Sequence, residues 1–339
     1  MQIHSLLRTE RRRLDTDVRG APVLRYEYLM LAPQGAVPDA VREAGFEVLR
    51  RANEGDELGL EIVVLRDSRR RAAMRAMRDL KAAAPQSEFA FQHVYLPAGN
   101  ARAQALSPLQ TGGRVARIGL IDGGVDTSNP ALAGVHVLPS GCNGKTVPQL
   151  HGTAVAVRLA GGTRDTLYAA DLWCGDRVGR ATLGLVEALS WMARERVPVI
   201  NISLVGPDNP VLARAIGAMV TRGHVIVAAV GNDGPAAPPL FPAAYAGVIG
   251  VSGVDAKLRV LPESASGPQV DFSASGVVDT KLRGTSFAAP LVARVAAQAV
   301  STPSPDALAT ALRTLAEHAR DLGSPGRDPR YGDGLVVAD

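Results

Sequence analysis

The stretch VARIGLIDGG, Val115–Gly124, is an almost unbroken apolar run that stops at an aspartate followed by two glycines. A strand apolar on both sides needs cover on both sides, the situation of an inner strand in a parallel sheet. The pattern recurs downstream. TLYAADLW (166–173), VPVINISLVG (197–206), HVIVAAVGN (224–232) and AGVIGVSGVD (246–255) read as short apolar strands. Helical segments lie between them near Leu183–Arg196 and Leu212–Arg222, and further helices open at His151 and Ser286. Strands alternating with helices predict an α/β domain on a doubly wound, mostly parallel sheet over residues 114–339. Chemically active groups in such sheets sit just beyond the carboxyl ends of strands.

Upstream the order of elements changes. VLRYEYLMLAP (23–33), FEVLRRANE (46–54), LGLEIVVLRD (58–67) and EFAFQHVYLP (88–97) have strand character. Short helices fall around PDAVREAG and over Ser68–Ala84. The resulting βαββαβ order predicts a small α+β, ferredoxin-like unit over residues 21–97, preceded by an N-terminal extension, 1–20. Residues 98–113, AGNARAQALSPLQTGG, are small, polar and broken by Gly and Pro, the composition of an exposed linker.

Composition narrows the function. At 339 residues, 46% hydrophobic and 21% charged, the chain fits a globular protein with a sizeable core. The net charge of +4 is small and spread out, and aromatics at 4% are too few for single-strand stacking platforms, so no nucleic-acid partner is expected. The densest basic run, RDSRRRAAMRAMRDLK (66–81), carries Ala73, Ala76, Met77 and Leu80 at helical spacing and reads as a solvated helix face. No apolar run reaches the ~18 residues of a membrane span. The first twenty residues lack the apolar core of a signal peptide. Cys142 and Cys174 lie in loop-like contexts and form either one disulfide or two free thiols. The histidines at 4, 93, 136, 224 and 318 show no metal-ligand spacing, so neither a metal site nor a cofactor is expected.

The strand ends and helix starts carry the chemistry. Asp122 ends one strand and Asn232 another, while His151 and Ser286 open helices. Singly, each has a plain structural explanation: a turn residue, a local hydrogen bond, a helix cap. Together they supply what acyl transfer needs. A serine hydroxyl is a weak nucleophile until a base takes its proton. Histidine suits that task, and a buried carboxylate orients the imidazole and stabilises its charged form. A side-chain amide and the N–H groups of a helix start can donate to an oxyanion.

GLIDGGVDTSNPAL, HGTAVAVRLAG, VAAVGNDG and GTSFAAPLVA resemble, in order, the four active-site motifs of the subtilisin-like serine proteases. The resemblance runs from about Ala116 to Val336. It implies that Asp122 orients His151, that His151 is general base and acid, that Ser286 is the nucleophile, and that Asn232 lines the oxyanion hole. It also implies a zymogen, in which the ferredoxin-like unit is a prodomain that assists folding and inhibits until self-cleavage in the 98–113 linker, nearer its start. An extended polypeptide substrate would pair with two edge segments, Asp176–Arg180 (Gly179) and Ser203–Gly206 (Ser203, Leu204, Val205). Residues 228–231, Ala229 and Gly231 among them, would wall the pocket for the side chain preceding the cut bond. A monomer acting in secretion or in the periplasm is the expected setting.

The sequence departs from the family at several points. Ala154 replaces a second histidine, Gly123 stands where Ser or Thr is commoner, and Val205 replaces a glycine of the cleft strand, where a branched side chain is expected to narrow or reshape the primary pocket. Only GGTRD separates the His151 helix from TLYAADLW, so the usual structural calcium loop is expected to be missing. Two other readings compete: a catalytically inactive binding protein on the same scaffold, and an Asp-nucleophile phosphatase built on LIDGGVDT. The first leaves the retention of all four groups without a reason, and the second leaves His151, Asn232 and Ser286 unexplained.

Overall fold

The computed structural model describes residues 2–32, 36–52, 57–98, 114–279 and 282–337. The chain begins with α1 (Gln2–Thr9), β1 (Leu14–Thr16), β2 (Pro22–Leu31), α2 (Asp39–Glu43), β3 (Phe46–Ala52), β4 (Ile62–Asp67), α3 (Ala73–Ala83) and β5 (Glu88–His93). These strands form one antiparallel sheet in the order β5-β2-β4-β3, with β1 along the start of β2. Successive residues of a strand face opposite sides. Tyr28, Met30, Val63 and Leu65 accordingly pack with Met77 and Leu80 of α3. Their neighbours Leu29, Leu31, Ile62 and Val64 join a second cluster shared with Leu183, Leu212 and Ile216 downstream. Both faces are covered at the end of β2 and the start of β4, which is why LML and IVVL run apolar without alternation.

The second unit contains β7 (Arg117–Asp122), β8 (His136–Ser140), α4 (Leu150–Ala160), β9 (Thr166–Asp171), α5 (Ala181–Arg194), β10 (Val199–Ile202), β11 (Leu204–Val205), α6 (Pro210–Thr221), β12 (Val225–Ala229), β13 (Val248–Val254), β14 (Phe272–Ser275), α7 (Thr285–Ala299), α8 (Ala307–Glu317), β15 (Ala319–Arg320) and β16 (Leu335–Val336). Nine of its strands make one sheet, β15-β16-β14-β13-β12-β10-β7-β9-β8, parallel throughout except for the β15–β16 pair. Residues of α4, α7 and α8 pack on one face and those of α5 and α6 on the other. This is the doubly wound α/β sheet that the apolar strands predict. The chain winds outward in both directions from β7 and β10, so the switch point falls where Asp122 ends β7.

Three features differ from the sequence reading. The extension, described from Gln2, carries α1 and β1, and Arg13 donates to both oxygens of Asp176 at 2.7–2.8 Å. That contact, with a smaller contribution from Val178 N–H, holds the Asp176 carboxyl below its usual range. The strand expected over 88–97 ends at His93, and a separate β6 (Leu96–Pro97) pairs antiparallel with β11. VPVINISLVG likewise breaks at Ser203 into β10 and β11. Of the 98–113 linker only Ala98 falls among the described residues before Arg114.

β5 lies against the starts of α5 and α6. Gln92 Oε1 accepts from Leu183 N at 3.1 Å, giving α5 a cap from outside its own segment. Asn209 caps α6 with its Oδ1, and its amide nitrogen donates to Phe91 O at 2.9 Å and to His93 Nδ1 at 3.0 Å. Ion pairs Arg214–Glu88 and Arg50–Glu187 flank this contact.

Candidate active site

Asp122, His151 and Ser286 are brought together from β7, the first turn of α4 and the first turn of α7. His151 Nδ1 lies 2.9 Å from Asp122 Oδ1, and His151 Nε2 lies 3.0 Å from Ser286 Oγ. Asp122 and Ser286 are fully buried and His151 is 7% exposed. Asp122 Oδ1 also accepts from Gly123 N, while its Oδ2 has no partner among the described residues. With the carboxylate on Nδ1, the neutral imidazole carries its proton there and presents a bare Nε2 to the serine hydroxyl. A methyl group on Gly123 would stand 2.4 Å from Gln149 Oε1, so the Gln149 side chain occupies the room that a serine or threonine would use.

Asn232 follows β12 and faces the same point. Its Oδ1 accepts from Thr285 N at 3.0 Å, which fixes the orientation of the amide. The Nδ2 then donates to the carbonyl oxygen of Ala98. Ser286 N donates to the same oxygen at 3.0 Å. A backbone carbonyl therefore rests between a helix-start amide and a side-chain amide, next to the Asp122–His151–Ser286 line. Such a pair of donors stabilises charge developing on a carbonyl oxygen.

The residues before Ala98 lie extended in the same groove. Pro97 pairs with Leu204 and Leu96 with Val205, and Ala98 N donates to Ser203 O at 3.1 Å. Ala98 shares an apolar cluster with Ala229, on which Val205 packs. Gly231 N donates to Thr285 Oγ1. Gly179 lies in the loop between β9 and α5. It turns the chain at φ +69°, Arg180 N returns to Leu172 O, and no backbone bond joins Gly179 to residues 95–98 among the described residues. The nearby contact comes from Val178, which packs in a cluster with Leu96 and Val94.

The serine-bearing helix is held from two sides. Pro290 is the sixth residue of α7, deeper than the first turn, and lacks the N–H that would meet Ser286 O. Ser203 Oγ donates to that oxygen at 3.0 Å and accepts from Asn201 Nδ2 at 2.8 Å. Arg158 of α4 donates to Phe287 O and Ser275 O, tying the histidine helix to the serine helix. Burial, with Arg294 close by, lowers the Arg158 guanidinium to about 10.

The loops before α4 and after β9 are joined by a Cys142–Cys174 disulfide, one of the two states the sequence leaves open. Among the described residues, the one His/Cys/Asp/Glu cluster close enough to hold a metal is Cys142, Asp171 and Cys174, and its sulfurs are bonded to each other. No described helix is long and apolar enough to cross a membrane. Sequence reasoning expects the cut near the start of the 98–113 linker, but it singles out neither Tyr95, nor Leu240 beside Gly231, nor Thr285 as the group that orients Asn232.

Known proteins share the sequence pattern and fold of the second unit. The family model described as the subtilase family matches residues 113–334. The minor extracellular protease Epr of Bacillus subtilis is 28% identical over 246 residues, 66% of this chain but only 38% of the length of Epr. The subtilisin of Bacillus pumilus is 29% identical over 252 residues, 67% of this chain and 90% of its own length. Among solved structures, fervidolysin from Fervidobacterium pennivorans, a keratinolytic enzyme related to subtilisin, shares the fold at a TM-score of 0.74 and 17% identity, over 96% of this chain and 62% of its own.

Proposed function

The chain belongs to the subtilase family of serine endopeptidases, and from that premise we propose that it is a self-processing member using Asp122, His151 and Ser286 as its triad. The single observation that carries this is the Ala98 carbonyl, bonded by Ser286 N and Asn232 Nδ2 beside the hydrogen-bonded triad line. In the reaction, His151 Nε2 takes the Ser286 proton as Oγ attacks the carbonyl carbon. The two donors receive the negative oxygen, and His151 returns its proton to the leaving amine. Water then repeats the sequence on the acyl-enzyme. The processing bond is the one after Ala98, the start of the linker.

On this reading residues 21–97 are a prodomain that acts as intramolecular chaperone and inhibitor. Its support is the cap Gln92 gives α5, the bonds of Asn209, and β6 lying in the groove. Extended polypeptides are the substrates, the enzyme is a monomer, and it works after export, as the name of Epr says of that protein. No calcium is needed. α4 ends at Ala160 and β9 starts at Thr166, and the intervening Gly161 carbonyl is taken by the Arg294 guanidinium.

The test is the intact mass of wild type beside Ser286→Ala, each with and without a fluorophosphonate probe. Wild type should yield a fragment ending at Ala98 and a labelled remainder, and the variant should stay whole and unlabelled. A wild type that remains uncut, and unlabelled even after limited proteolysis of the N-terminal unit, would establish an inactive scaffold instead.

A further inference from the structure

We propose that this enzyme cuts after alanine-sized residues, because Leu240 and Val205 close the pocket that receives the side chain before the cut bond. This rests on the protease reading. The chain's own segment Tyr95-Leu96-Pro97-Ala98 lies in the groove and serves as a template for what the groove accepts. Its last side chain is a methyl group, 2% exposed and in contact with the core. A methyl group added to Gly231, on the wall of that pocket, would stand 2.8 Å from Leu240 Cδ1 and 3.8 Å from Val205 Cγ1. Two branched side chains therefore converge on the wall where a larger substrate residue would enter.

Leu240 is held there by backbone. Gly206 N donates to Phe241 O at 2.9 Å and Phe241 N to Gly206 O at 3.0 Å, an antiparallel bridge that sets Leu240 opposite Pro207 and diagonal to Val205. A larger side chain entering there would have to displace Leu240 or Val205. Three residues upstream the groove is generous instead. The Tyr95 ring is 4% exposed and lies on Gly206, where an added methyl would come within 2.5 Å of Cδ1, and its hydroxyl donates to Pro207 O at 3.2 Å. The preferred substrates are extended segments with an aromatic residue, preferably tyrosine, at the fourth position before the cut and alanine at the first.

The experiment uses internally quenched peptides Tyr-Leu-Pro-Ala-Gly-Asn and Tyr-Leu-Pro-Phe-Gly-Asn with processed enzyme. The alanine peptide should be cut with kcat/KM about 10²-fold higher, the scale on which pocket fit discriminates. Leu240→Gly should shift the Phe/Ala ratio of kcat/KM toward phenylalanine by about the same factor. Equal cutting of both peptides by wild type, or an unchanged ratio in Leu240→Gly, overturns the proposal. Self-processing gives a second readout on the full chain. Ala98→Phe should slow it, and Ala98→Phe with Leu240→Gly should restore it; wild-type processing of Ala98→Phe, or no rescue, overturns the proposal as well. A chain that neither takes up fluorophosphonate nor cuts any peptide overturns the protease reading itself, and this inference with it.

Discussion

Asn232 can donate to a carbonyl because Thr285 N holds its oxygen, leaving the amide nitrogen one direction to face. Asn232→Ala removes one of two donors and keeps the other. On the proposed mechanism it should lower kcat by about 10²–10³, the loss known for the corresponding amide of subtilisin, with KM little changed. Steady-state kinetics on an alanine peptide checks this, and an unchanged kcat would take Asn232 out of the site. The candidate site was legible at this scale because each of its four groups sits inside a contiguous motif at the end of an element. Leu240 was not legible. It lies in PAAPPLFP, which has no period, and its place depends on the pairing of Gly206 with Phe241.

At the scale of elements, two connections bear on stability. The disulfide Cys142–Cys174 closes a separation of 32 residues between the loops that precede α4 and follow β9. Closing a loop of that length stabilises by about 3–4 kcal/mol through the unfolded chain. Cys142→Ser with Cys174→Ser, made in uncut Ser286→Ala, should lower the urea-unfolding free energy by that amount, and an unchanged midpoint would contradict it. The short passage from α4 to β9 leads to the opposite expectation for chelation. EDTA should leave the melting temperature of the same protein unmoved, whereas a clear drop would reveal a bound cation the proposal leaves out. Alternating apolar strands and helices were readable along the chain because burial on both faces writes itself into composition. The departure of β6 was not, since EFAFQHVYLP keeps strand character through residues that join a different sheet.

At the scale of the molecule, the two units meet through buried polar groups, and proton uptake in the folded core bears on stability. His224 sits below the sheet with Nδ1 at 2.6 Å from Val197 O. Burial lowers its pKa from the ordinary 6.5, the carbonyl opposes, and Arg196 and Arg222 add to the lowering. The unfolded chain therefore binds a proton at a pH where the folded chain does not. Stability is full above about 6.5 and falls as pH drops toward the lowered folded value. In Ser286→Ala the urea midpoint should decline from pH 7 to pH 5.5, and His224→Asn should flatten that slope. Equal slopes would mean that other groups dominate.

The carbonyl of Ala98 in its two-donor cradle has a consequence for timing. On the proposed processing, cutting the bond after it severs a tether while Ser286 N and Asn232 Nδ2 still face the oxygen they held before. What changes is reaction order. If the N-terminal unit is the proposed inhibitor, it changes from part of the chain to a separate solute, and its grip then weakens as the solution is thinned. A crowded compartment would keep the enzyme silent, and release into a larger volume would switch it on without any further signal.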